Sequence, residues 1–180
     1  PAVKVTHMTK RITFSAMLLA LTVICLYGAS TLSTGRLAAL ALASLFVAVS
    51  VYQYGVRTGV ALYVAASLLL LLLVPKRMYV SVYILFVGYY PIVKLYIERL
   101  RKLWAEWILK ILAFNAALAA LYFVFRAFFM PSVSPAVLTL LVQYAGLILL
   151  GLELAFIVYD VALSYMIGFY DRFLRRIHHE

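Results

Sequence analysis

Glu153 and Asp160, two of only six acidic residues in the chain, stand seven positions apart inside one long apolar run. Seven helical steps of about 100° return to within about 20° of the starting direction, so the two carboxylates share a helix face. An acid among apolar neighbours must find a partner or take up a proton. Lys110 lies inside another apolar run. If the two runs cross the same layer in opposite directions, Lys110 comes level with Asp160, and Asn115 comes nearer to Glu153. Lys110 and Asp160 are therefore expected to form a buried ion pair, either as a clamp between helices or as part of a working site. Glu153 has no comparable cation. It is expected to bind a solute or carry protons, with a helix-to-helix hydrogen bond as the structural alternative.

Other polar groups are candidates on weaker chemistry. Arg36 follows Gly35 and a hydroxyl-rich stretch from Ser30 to Thr34. It is placed either to receive an anionic group through paired hydrogen bonds or to anchor the chain at an interface. Gln143, and Tyr89 with Tyr90 beside Pro91, put polar tips on apolar bodies. Pro91 either kinks or ends its helix. Catalysis is not expected. The three histidines, His7, His178 and His179, lie at the chain ends, and Cys25 is the single thiol. No metal-ligand or nucleophile motif occurs, so neither metal nor cofactor is expected.

The elements that must position these groups follow from composition. Apolar residues make up 67% of the 180 residues and charged residues 12%. A water-soluble domain of this size exposes too much surface for that mixture. The apolar residues fall into blocks long enough to cross a hydrocarbon core roughly 30 Å thick. The fold class expected is all-α, a polytopic bundle of six transmembrane helices near 12–30, 36–52, 57–74, 79–97, 103–128 and 136–170. Residues 1–7 read as a tag remnant or disordered start, and 8–180 as one membrane domain.

The net charge of +10 is carried between the apolar blocks rather than along a basic face, which argues against nucleic acid and for lipid headgroups. With the N-terminus inside, the cytoplasmic ends collect Lys4, Lys10, Arg11, Arg57, Lys94, Arg99, Arg101, Lys102, Arg172, Arg175 and Arg176. The outer ends hold Arg36, Lys76, Arg77 and Arg126. Positive residues favour the cytoplasmic side, so both termini are expected there, in the cell membrane. Between Ile92 and Met130 there is neither glycine nor proline. Lys94, Glu98, Lys102, Glu106 and Lys110 recur every four residues, as one helical stripe would place them. A helical extension or one tight turn near 98–102 is expected to join the fourth and fifth spans. Trp104 and Trp107 suit the headgroup zone.

Length, six spans, inside termini and the Ala16-Met17-Leu18-Leu19-Ala20 segment together resemble the substrate-binding subunits of energy-coupling factor transporters. The resemblance implies that Ala16 and Ala20 pack against a transmembrane coupling protein. It also implies that a separate ATPase drives uptake of a small solute bound among Arg36, Tyr89, Asn115, Gln143 and Glu153. Two other functions remain open from the residues alone. One is a multi-span scaffold of the bacterial cell envelope, using the charged stripe and the basic tail. The other is a small proton-coupled transporter using Glu153 and Asp160.

Overall fold

The computed structural model describes residues 2–31, 35–74, 76–128 and 134–177, with the side chains of 2–7, 135–136, 171 and 173–177 left aside. Among the described residues eight α-helices run in order: α1 (Ala2–Thr31), α2 (Arg36–Tyr54), α3 (Val56–Leu73), α4 (Arg77–Val82), α5 (Tyr90–Glu98), α6 (Leu103–Phe128), α7 (Pro135–Gln143) and α8 (Ala145–Ile177). A π-helical stretch, Tyr83–Val87, links α4 towards α5. No strand occurs among the described residues. Six segments among these residues are long and apolar enough to cross a membrane, with mean hydropathy from 1.6 to 2.1. The fold is an all-α, six-span polytopic arrangement.

The helices divide into two compact units, Pro1–Lys102 and Leu103–Glu180. In the first, α2 lies against α1, α3 and α5. Apart from Leu40, its buried residues are small: Ala43, Ser44, Val47, Ala48, Val49, Ser50 and Val51. Small side chains let helix backbones approach closely where lipid offers no hydrophobic drive for association. The connection from α2 to α3 is the single residue Gly55, with φ of 86°. Four residues later, a Cβ on Gly59 would stand 2.1 Å from the Val51 side chain, so only glycine fits where α3 leaves α2. Leu26, Leu40, Leu70, Val80 and Val87 form the core of this unit with Tyr83.

In the second unit, α6 and α8 meet through a few large side chains, and most of their apolar surface faces outward. That distribution suits helices bathed in lipid, where an outward leucine carries no penalty.

Three local features differ from the sequence reading. Residues 2–7 are helical and continue into the first span. The last apolar run is interrupted at Tyr144, which separates α7 from α8. Pro91 occupies the first turn of α5, where its missing N–H has no helical partner to lose. It neither kinks nor ends that helix; the irregular stretch lies ahead of it, from Tyr83 to Tyr89. Of the two connections expected between the fourth and fifth spans, the tight turn is the one present, and it interrupts the charged stripe. Helix α5 stops at Glu98, the chain turns through Arg99–Lys102, and α6 starts at Leu103. With no glycine available, Arg101 itself takes the left-handed φ of 52°. The loop predicted around Pro131 and the tail beyond Ile177 lie outside the described residues.

Candidate functional site

Lys110 sits two turns into α6, and Asp160 sits at the middle of α8. Lys110 Nζ donates to Asp160 Oδ2 at 2.9 Å, with side-chain exposures of 7% and 4%. One turn further along α6, the Phe114 ring stacks on Phe156, with centroids 4.4 Å apart and planes 9° from parallel. These two contacts fix an antiparallel register, because one helix advances four residues while the other retreats four. The Trp107 ring adds a second neighbour, its centroid 5.7 Å from Lys110 Nζ. Ser164 donates to the Asp160 carbonyl at 2.9 Å, a bond to its own helix. Two buried charges in this setting hold each other, and neither is free for a ligand at no cost.

The same register sets the level of Glu153. Carried three residues beyond Phe114, it puts Glu153 opposite Ala117, which is buried. Asn115 therefore stands about 3 Å away along the axis, two residues at 1.5 Å each. Its amide donates to the Ile111 carbonyl of its own helix at 3.0 Å. Glu153 is half-buried, and no ion pair to it occurs among the described residues. Gln143, at the end of α7, is exposed.

Arg36 and Tyr89 belong to the first unit. Arg36 is half-buried, with its guanidinium over the Tyr79 ring, 5.7 Å from the centroid. That cation–π contact orients the planar group. Tyr89 is half-buried beside the π-helical stretch. There, Gly88 N–H donates to the Tyr83 carbonyl at 2.8 Å, a reach of five residues. Tyr63 on α3 donates its hydroxyl to the Ile84 carbonyl at 2.8 Å. A Cβ on Gly88 would stand 2.7 Å from the Tyr63 ring and 2.9 Å from that of Tyr83. Gly88 thus lets two tyrosine rings pass, with centroids 6.2 Å apart. Insertions of this π type recur at working sites in helical proteins.

Ala16 and Ala20, on α1, are both exposed. Sequence reasoning missed Tyr63 and Tyr83, which nothing distinguished among fourteen tyrosines. It also missed Lys94. The sequence places that residue at a cytoplasmic helix end and in the charged stripe, yet it is 1% exposed, with Nζ 3.0 Å from Glu98 Oε1. The four-residue spacing to Glu98 marked the pairing but not the burial.

The chain matches no family model, no curated protein and no solved structure. The class of protein that the fold defines is a multi-pass, all-α membrane protein.

Proposed function

We propose that the chain is the membrane-embedded, solute-binding subunit of an uptake transporter, driven by a separate ATPase module. The observation that carries this reading is the exposure of Ala16 and Ala20 on α1. Small residues at i and i+4 on an open helix face suit close docking of a partner's membrane helix. The second support is Glu153, a half-buried acid well inside a long apolar helix. Such a group is costly to keep in lipid unless it contacts something polar. The solute is assigned to that carboxylate. Both termini are assigned to the cytoplasmic side of the cell membrane from the bias of basic residues. The similarity to energy-coupling factor substrate-binding subunits rests on the same first-helix alanines and on the number of spans.

Two observations weigh against the other functions. A scaffold docking along Lys94 to Lys110 loses its continuous stripe at the 99–102 turn, and Lys94 is buried. A proton-coupled route through Asp160 meets a carboxylate already held by Lys110.

The test is extraction of small molecules from protein purified in mild detergent, followed by mass spectrometry. The unaltered protein is expected to retain one solute. Glu153→Gln is expected to lose it while unfolding at the same temperature. A protein partner retained in place of any solute overturns the reading in favour of a scaffold. Equal solute retention by the variant removes Glu153 from the site.

A further inference from the structure

Arg11 and Arg57 stand at the head of a cleft of about 470 Å³ between α1 and α3. Both side chains are exposed. The Arg11 guanidinium donates to Thr58 Oγ1. Thr58 is itself buried, and its hydroxyl donates to the Tyr54 carbonyl at 3.2 Å. One of the five guanidinium donors is thus fixed to the protein, which leaves others for an anion. The start of α3 lies beside them. Its Gly55 cap supplies no side-chain acceptor, so the first-turn N–H groups add partial positive charge at the same level.

Beyond this polar head the lining changes. Ala16 and Leu19 on α1 face Ala61, Leu62 and Ala65 on α3, with Ser15 the one polar residue among them. From Arg11 to Leu19 the cleft follows eight residues of helix, about 12 Å. Its volume falls within the range of small-ligand sites, about 300–1,000 Å³. A cationic head over an apolar channel selects for a molecule with an anionic head and a hydrocarbon tail. A free phosphate would leave the channel unfilled. A zwitterionic lipid would bring a third cation towards two arginines.

We propose that this cleft holds one anionic phospholipid, drawn from the leaflet that bathes the starts of α1 and α3. Its phosphate lies between Arg11 and Arg57, and one acyl chain runs along Ala16, Ala61 and Ala65. Ala16 lies both in this lining and on the face assigned above to a partner helix, so the lipid is assigned to the chain on its own, before any such partner docks. Ala20, the other exposed alanine of α1, is not part of the lining.

The experiment is native mass spectrometry of the full chain released from vesicles of equal phosphatidylglycerol and phosphatidylcholine with identical acyl chains. One phosphatidylglycerol is expected to remain, preferred about tenfold or more over phosphatidylcholine. Each of Arg11→Gln and Arg57→Gln is expected to reduce that preference about fivefold, the factor for one basic residue at an anionic surface. Ala61→Phe keeps both arginines but fills the channel, and is expected to abolish retention of either lipid. Ala61 is exposed, so the larger ring does not enter the core. Arg99→Gln, elsewhere on the surface, is expected to change nothing. Equal retention of the two lipids by the unaltered protein overturns the proposal. So does undiminished preference in Arg57→Gln, displacement of the lipid by millimolar inorganic phosphate, or a protein found in the cleft's place.

Discussion

Lys110 Nζ and Asp160 Oδ2 lie 2.9 Å apart, on helices α6 and α8, with almost none of either side chain exposed. The pair, with the Phe114–Phe156 stack one turn away, forms the described contact between these two helices. Its chemistry makes the first expectation sharp.

Removing one member leaves the other charge in an apolar setting. Lys110→Met is expected to destabilise the protein by about 3–5 kcal/mol, read as a lower midpoint of thermal unfolding in detergent. Lys110→Met with Asp160→Leu is expected to recover most of that loss, because an apolar pair of similar volume replaces two desolvated charges. A double variant as unstable as the single one would show that the pair's value lies elsewhere.

Gly88 separates two rings, and any side chain there collides with them. Gly88→Ala is expected to cost about 1–3 kcal/mol through overpacking against Tyr63 and Tyr83. Gly168 offers the comparison. A Cβ there meets nothing within 4 Å. Gly168→Ala, inside α8, is expected to stabilise by up to about 1 kcal/mol. Paired unfolding curves of the two variants measure both effects.

Arg101 holds a left-handed φ of 52°, a conformation that costs a residue bearing Cβ about 1–2 kcal/mol. Arg101→Gly relieves it, while glycine's extra freedom when unfolded offsets part of the gain. The expected net is stabilisation by about 0.5–1 kcal/mol in the same assay. An unchanged midpoint would mean that the turn carries no strain.

Orientation is measurable with the single native thiol removed. In a Cys25→Ser background, a cysteine at Met8 or at Arg172, both exposed, is expected to resist a membrane-impermeant maleimide in intact cells. Both are expected to react after permeabilisation. Labelling of both in intact cells would reverse the assignment, and labelling of one would make the number of crossings odd.

Much of the fold was legible because lipid demands a simple pattern. Apolar blocks gave the six spans, and the bounds near 36–54 and 103–128 needed little adjustment. Lys110 and Asp160 were legible together for the same reason, since two charges at matching depth on antiparallel helices have few other partners. The π-helical stretch was not. A shift from four-residue to five-residue hydrogen bonds leaves no mark in composition, and Pro91 drew attention to the regular helix behind it. The turn after Glu98 stayed ambiguous between a helix and a bend because Arg101 adopts a glycine-like conformation without being glycine. Lys94 reads like any interfacial lysine, and its burial depends on packing that no periodicity reports.

The candidate solute residues were less legible still. Asn115 satisfies its amide on its own helix, Arg36 lies over Tyr79, and Gln143 is exposed. Each has a local explanation that spacing alone does not reveal. Glu153 and Tyr89 are half-buried.

Asp160 is fifty residues downstream of Lys110. During synthesis, α6 therefore emerges bearing an ammonium whose counter-charge has not yet been translated. Its strongly apolar remainder can carry one lysine near the helix start into the bilayer, at less than the roughly 2.5–3.5 kcal/mol of a cation at mid-helix. The insertion machinery must hold that helix, or tolerate its misplaced charge, until α8 follows. Assembly of the second unit is thus tied to the order in which the ribosome delivers its parts.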